Sequence, residues 1–419
     1  MIKELYKKYS KTYQISTDTR NIVKGAVFFA LKGKNFNANQ FAEKALYSGA
    51  SHVVIDDKDF YKDNTSYILV ENVLQTLQEL ATYHRKKLGI PIIALTGSNG
   101  KTTTKELIKV VLSKKYRISA TKGNLNNHIG VPLTLLSMTP NTEIGIVEMG
   151  ANHFDEISFL CKIAQPNYGY ITNFGKAHLE GFGSIEGVIK AKTELYNYLK
   201  KNEALAFVNK NDKVQIEKTK DQKQHLIGSS IKNLPTNEFV KVQINDVIIK
   251  SNLLGDYNYN NISTAIGIGL YFDVPLGSIK SALENYIPNN QRSQLIEKKN
   301  TTIILDAYNA NPTSMQAAIK SFRNHHAKRK IIILGDMFEL GESAEIEHQL
   351  IAELASDTKF EKLVLLGENF YKTTDSKAIK HLSFTDFKES FNKDDYKDVR
   401  ILIKGSRGMA LERIVDLFE

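Results

Sequence analysis

Leu95-Thr96-Gly97-Ser98-Asn99-Gly100-Lys101-Thr102-Thr103 lies between an apolar run at residues 90–96 and a helical pattern at residues 102–112, whose Ile108, Val111 and Leu112 share a face. Strand, glycine-rich turn and amphipathic helix in that order form a frame for phosphate. Glycines let backbone N–H groups curl around oxygens, the helix N-terminus favours anions, and a lysine meets the terminal phosphates. The hydroxyl after the lysine, Thr102, is placed to hold Mg²⁺. The strict GxxxxGK[ST] spacing fails, because its first glycine would fall at Leu95, and the turn reads GxxGKTT. Gly97 and Gly100 could instead be ordinary turn glycines before a capped helix; the order of strand, loop, lysine, hydroxyl pair and helix favours phosphate.

Around this turn the pattern alternates apolar runs with helical periodicity, which predicts α/β architecture throughout. A first block, residues 1–88, holds short runs at 27–31, 52–55 and 68–70 and a helical pattern at 73–87. The second, residues 89–297, adds strand candidates at 144–148, 169–172 and 204–209 and ends where Pro, Asn and Gln interrupt the pattern. The third, residues 298–419, is the most regular, with runs at 303–306, 331–336, 363–367 and 401–405. Helical stretches lie between them, as at 314–322, where Ala318, Ile319 and Phe322 share a face. That is the pattern of a parallel sheet with crossover helices. Ligands of such sheets sit beyond the carboxyl ends of the strands, which here carry NANP, GDMFELG, GEN and KGSRG.

A chain of 419 residues exceeds one ordinary core and predicts several domains. The single cysteine, Cys161, leaves no disulfide framework and no cysteine cluster for zinc. The start, MIKELYKKYSKTYQ, lacks the apolar region of a signal peptide, and no apolar run is long enough for a bilayer. A cytoplasmic protein without membrane insertion is expected. The net charge of +10 comes from scattered lysine, and residues 210–223 mix acids with bases. A nucleic-acid surface would interleave arginine with aromatics, so nucleic acid is not expected and anionic small substrates are.

Glu148 ends the run at 144–148, where a carboxylate can reach a metal bound to phosphates. His178 lies in a glycine-bearing loop after another strand. Lys192 continues the apolar stripe of Ile185, Val188 and Ile189 on a helix. A lysine there either snorkels outward or loses its charge, and a neutral amine can take up CO₂ as a carbamate, a carboxylate-like metal ligand.

Over essentially the whole chain these residues resemble the Mur ligases, the ATP-dependent amide-forming enzymes of peptidoglycan synthesis. The resemblance implies a UDP-substrate domain (1–88), a central P-loop ATPase domain (89–297) and a C-terminal Rossmann-like domain (298–419) that closes on ATP. It implies ATP contacts from Gly97, Ser98, Asn99, Gly100, Lys101, Thr102 and Thr103, and metal ligation by Thr102, Glu148, His178 and a carbamylated Lys192, with two Mg²⁺ expected. GDYNYNN at 255–261 is similar to the family's segment near adenine, matching at Asn258 and Asn261, with Tyr257 in place of a histidine. Arg292 and Asp306 look like the arginine near the ATP phosphates and the acid near the ribose.

Ser16, Thr17, Arg20, Lys32 and Gly33 resemble UDP-sugar contacts, although the usual DGH appears as Asn37-Ala38-Asn39. Asn124, Asn126 and Asn127 lie in a stretch similar to the loop that meets the muramoyl group. DAYNANP at 306–312, GDMFELGE from Gly335 and KGSRGM from Lys404 point, within the family, to D-alanyl-D-alanine as the amine and UDP-N-acetylmuramoyl-tripeptide as the acid. Asn309, Asn311, Lys404 and Ser406 are then substrate contacts. The implied catalytic set is Lys101, Glu148, His178 and Lys192, in a monomer. Two other readings stay open: an amide ligase of another pathway, such as a folylpolyglutamate synthase, expected to carry a histidine-containing DGAHNP, and a P-loop ATPase or switch with no carboxylate substrate.

Overall fold

The computed structural model describes residues 1–418 apart from 237, 375 and 376. Its first unit is a four-stranded parallel sheet in the order Ile15–Ser16, Val27–Phe29, His52–Ile55, Tyr67–Leu69. Alternation along a strand sends neighbouring side chains to opposite faces. Val27, Phe29 and Val54 accordingly pack with Leu5, Leu77 and Leu80 of two helices, Ile2–Tyr9 and Val73–Leu88. Phe28, Val53 and Ile55 pack on the other face with Ala42 and Ala45. Helix Val73–Leu88 starts where the Asn72 side chain accepts from Gln75 N and stops at Gly89, whose φ of 64° suits glycine. It is also the wall shared with the next unit. Arg85 donates from Nε to Ala164 O (3.0 Å) and from Nη2 to Gln165 O (3.0 Å) and Asn167 Oδ1 (2.7 Å).

The second unit centres on a six-stranded parallel sheet, in the order Gln224–Ile227, Leu205–Asn209, Tyr168–Ile171, Ile92–Thr96, Ile144–Glu148, Ile118–Ala120. From Ile92–Thr96 the chain first completes one side, laying down the edge strand Ile118–Ala120 and then Ile144–Glu148 inside it, and then builds outward on the other, so the carboxyl end of Ile92–Thr96 is a topological switch point, where a crevice opens. The α/β expectation does not hold throughout. Ile231–Leu234, Phe239–Ile244 and Val247–Leu254 form a separate antiparallel sheet.

The third unit is a six-stranded sheet ordered Gln294–Lys298, Thr301–Asp306, Val399–Lys404, Lys330–Gly335, Lys362–Leu366, Ile379–His381. All neighbours are parallel except the first pair, an antiparallel hairpin. That hairpin corrects the expected boundary after residue 297: Gln294–Lys298 hydrogen-bonds to Thr301–Asp306, so the third unit begins at Gln294. Among the described residues no helix is long and apolar enough to cross a membrane.

Candidate functional site

The loop between strand Ile92–Thr96 and helix Lys101–Leu112 depends on its two glycines. Gly97 has φ +137° and Gly100 φ +78°, and added Cβ atoms would lie 2.1 Å from Thr172 Oγ1 and 2.7 Å from Asn261 Oδ1. Only glycine combines such a backbone with such close neighbours. The loop is tied to the next strand end: Ser98 Oγ donates to Gly175 O (2.9 Å), Thr172 Oγ1 to Asn99 O (2.6 Å), and Asn99 N to Asn173 Oδ1 (3.1 Å). Lys101 Nζ folds back onto Gly97 O (2.7 Å) and Ser98 O (3.3 Å). Burial holds its pKa below the ordinary lysine value, against the pull of Glu148.

A cavity of about 630 Å³ opens above the loop, lined from the central unit by Ser98–Lys101, Thr103, Asn124, Asn126, Asn127, Glu148, His178 and Arg292, and from the third by Asp306, Asn309, Asn311, Glu339 and Lys404. The carboxylate of Glu148 accepts from Thr102 Oγ1 (2.9 Å) and Asn126 Nδ2 (2.9 Å). Behind it, fully buried Lys105 donates to Thr121 O at 2.6 Å and lies 4.0 Å from Glu148 Oε2. Lys192 does not snorkel: it is 0% exposed, its amine donates to Ala151 O at 3.1 Å, and the Phe182 ring lies 5.0 Å away. Burial, aided by the charge of Lys101, lowers its pKa to about 7. His178 takes a left-handed backbone (φ 53°) and its Nδ1 lies 2.6 Å from Glu339 Oε2. The close approach of His178 in turn lowers the Glu339 pKa.

The third unit closes the other side. Asn311 caps helix Pro312–Arg323 by accepting from Ser314 N (2.9 Å), while its Nδ2 donates to Asn99 Oδ1 in the phosphate loop (2.7 Å). Lys404 Nζ donates to Asp306 Oδ2 (2.7 Å) and Asn309 O (3.3 Å), so the expected ribose acid and substrate lysine pair with each other. The Arg292 guanidinium stacks 4.1 Å from the Tyr308 ring, leaving its buried Nε without a partner. Asn258 and Asn261 line the cavity but bond inward: Asn258 Nδ2 donates to Leu254 O, Asn261 Nδ2 to Asn258 Oδ1, and Asn261 Oδ1 accepts from Thr104 Oγ1. They clamp helix Asn258–Tyr271 to the first turn after the loop. Tyr257, in the place of the family's histidine, bonds Ser293 Oγ at 2.7 Å.

Several expected residues stand apart. Gly97, Thr102 and Lys192 lie behind the cavity wall, reaching it through the groups they hold. Ser16, Thr17, Arg20, Lys32 and Gly33 belong to the first unit and do not line the cavity. There Arg20 pairs with Asp18 (2.6 Å) and Lys32 with Asp56 (3.1 Å), and buried Asn39 donates to Asp56 Oδ1 (3.0 Å). Ser406 is buried and does not line the cavity; its Oγ accepts from Phe338 N (2.9 Å), which makes it a support for the loop after Gly335. Sequence reading missed Asn173, Tyr308, Glu339 and Arg407, all of which line the cavity. Tyr308 and Glu339 lie in stretches already noted at strand ends, but nothing local distinguishes them from their neighbours.

The Mur ligase middle domain matches residues 95–269, and the Mur ligase, glutamate ligase domain matches residues 291–407. The chain is 35% identical to UDP-N-acetylmuramoyl-tripeptide–D-alanyl-D-alanine ligase of Bacillus subtilis (strain 168), over 97% of its length and 93% of that protein. Identity to the ligase of the same name from Escherichia coli (strain K12) is 31%, covering 96% and 92%. Among solved structures, MurF from Acinetobacter baumannii superposes with TM-score 0.85 at 29% identity, covering 97% of this chain and 93% of that one. MurF ligase from Thermotoga maritima in complex with ADP gives 0.82 at 26% identity, covering 97% and 96%.

Proposed function

The chain belongs to the Mur ligase family, and from that premise we propose that it joins D-alanyl-D-alanine to UDP-N-acetylmuramoyl-tripeptide at the expense of ATP, completing the peptidoglycan pentapeptide precursor. The observation that carries this reading is the single cavity in which the phosphate loop, Glu148, His178 and Arg292 face Asn309, Asn311 and Glu339 of the third unit. In our reading, residues 1–88 hold the UDP end of the substrate, 89–293 hold ATP, and 294–419 bring the dipeptide. A monomer is expected, and the ATP and nucleotide-linked substrates put its expected place in the cytoplasm.

Peptide-bond formation from a free carboxylate is uphill in water, so the oxygen to be lost must first become a good leaving group. The tripeptide carboxylate attacks the γ-phosphorus of ATP, releasing ADP and giving an acyl phosphate. The dipeptide amine then attacks the acyl carbon, loses a proton, and phosphate departs. Two anions meet in the first step, so fixed positive charge and aligned N–H groups carry it. Lys101 and the N-terminus of helix Lys101–Leu112 supply both.

The donors also fit Mg²⁺. Thr102 Oγ1 and Glu148 Oε2, 2.9 Å apart, offer hard oxygens at the phosphate loop, as an ion that keeps most of its coordination for phosphate and water requires. Among the described residues no group of three or more His, Cys, Asp or Glu could hold a metal by itself. His178, with a carbamylated Lys192, would hold a second ion; its amine, with a pKa near 7, is neutral often enough to react with CO₂. Bound there, Mg²⁺ supplies charge neutralisation for the meeting anions.

The test is phosphate release by the purified protein with Mg-ATP and UDP-N-acetylmuramoyl-tripeptide, with and without D-alanyl-D-alanine. Release that needs both, with a product heavier by the dipeptide, is expected. Release indifferent to both would leave a P-loop ATPase and overturn the ligase reading.

A further inference from the structure

Four carboxylates line the cavity: Glu148, Glu156, Asp306 and Glu339. Three are committed. Glu148 is held by Thr102 and Asn126. Glu156 accepts from the backbone N–H groups of Asn152 (2.6 Å) and His153 (3.0 Å). Asp306 is paired with buried Lys404. Glu339 differs in that its side chain is 46% exposed and its close partner is His178, on the facing unit.

The backbone under Glu339 is held in place from both sides. Met337 N donates to Nε2 of buried His348 (2.9 Å), Phe338 N donates to Ser406 Oγ (2.9 Å), and Glu339 O accepts from Glu180 N (3.2 Å). Glu339 itself sits at φ +62°, in the left-handed region. Glycine or asparagine would occupy that region with less strain. A strained glutamate fixed by its surroundings, with its carboxylate in the cavity, points to a use for the carboxylate.

We propose that Glu339 binds the α-ammonium of the incoming D-alanyl-D-alanine. This rests on the ligase reading above and deepens it. A dipeptide amine is largely protonated near neutral pH, with an ordinary pKa of about 8, so it arrives as a cation and needs an anion to collect it. Glu339 is the half-exposed carboxylate that the third unit presents, its close partner lies on the facing unit rather than its own, and it faces the His178 and Lys101 side of the cavity. The role is binding and placement.

The experiment separates the two half-reactions in wild type, Glu339→Gln and Glu339→Asp. Acyl phosphate formation is followed as tripeptide-dependent scrambling of bridge-labelled [¹⁸O]ATP without dipeptide, and the complete reaction as steady-state kinetics in each substrate. Glu339→Gln is expected to raise the KM for D-alanyl-D-alanine about 10- to 100-fold, the loss of one charge-assisted contact. The scrambling rate and the KM values for ATP and tripeptide should stay within about 2-fold, and Glu339→Asp should recover most of the dipeptide affinity. An unchanged dipeptide KM, or scrambling that falls as much as the complete reaction, overturns the proposal. If Glu339→Gln does not fold, Glu339→Asn, suited to the left-handed backbone, carries the same test. A wild type that makes no dipeptide-dependent product would instead overturn the ligase reading.

Discussion

Lys192 is a lysine amine with no exposed surface, bonded to one backbone carbonyl and pushed by burial to a pKa of about 7. Its ordinary value is near 10.5, so between pH 7 and 10.5 the folded protein binds fewer protons at this site than the unfolded chain. Stability therefore rises with pH across that window, and the cost of the buried charge is fully present below it, at most on the order of 5 kcal/mol. Lys192→Met removes the penalty. Its melting temperature should exceed that of wild type by more at pH 6 than at pH 9, as read by calorimetry; an equal offset at both would mean the amine does not titrate as its surroundings imply. For activity, Lys192→Ala should lose on the order of 10²–10³ in kcat, the scale of one preorganised charge, and regain part of it with formate or acetate. Full activity in that variant would sink the carbamate assignment. The residue scale is also where sequence says least about Glu339. Lys192 stands out because a cation interrupts an apolar stripe, whereas Glu339 is an acid among polar loop residues until tertiary packing puts His178 beside it.

The capping of helix Pro312–Arg323 joins fold and site in one side chain. Asn311 Oδ1 accepts from Ser314 N, and Asn311 Nδ2 donates to Asn99 in the phosphate loop. Asn311→Ala loses both and should cost about 1 kcal/mol of stability. Asn311→Ser keeps a cap but cannot reach Asn99. It should melt close to wild type in calorimetry while its KM for ATP rises several-fold, the scale of one neutral hydrogen bond; an unchanged KM would show that the bridge to Asn99 contributes nothing to nucleotide binding. Elements of this kind were legible because strands, turn glycines and helix faces leave local patterns. The antiparallel sheet was legible too, since Val240, Val242 and Ile244 are buried in alternation with Phe239, Lys241 and Gln243. Embedded in a block of otherwise α/β pattern, its alternation does not announce a separate antiparallel sheet. Strand Gln294–Lys298 was harder: none of its five residues is fully buried, so its pattern is weak and only pairing with Thr301–Asp306 defines it.

The units are fastened in two different ways, and this decides which of them move. Between the first and second, Leu77, Leu80 and Ala81 share a buried apolar cluster with Leu135, Leu136, Met138 and Leu160, and Arg85 sets three hydrogen bonds into the second unit. Breaking that contact would expose core, so these two units should travel together. The second and third units are bridged chiefly by polar contacts in which one partner is partly exposed, although the buried apolar cluster also extends to Ala310 and Met315. Lys176 meets Glu347 at 2.5 Å, Arg400 meets Glu238 at 2.8 Å, and Asn99 meets Asn311 at 2.7 Å. Ion pairs with an exposed partner contribute about 0–1 kcal/mol each at the surface and are weakened by salt, so this interface can open and re-form during turnover. Closure is what places Asn311 on the phosphate loop and Glu339 beside His178, and it shields an acyl phosphate from water. In small-angle scattering the free enzyme should therefore show a larger radius of gyration than the enzyme with Mg-ATP and the tripeptide, whose profile should approach the one calculated from this closed arrangement. Glu347→Ala should enlarge the free form further without changing the saturated one by much, because bound substrates then hold the third unit in place. Identical profiles with and without substrates would mean that the site is assembled in advance, and catalysis would have to admit both substrates to a cavity that stays shut.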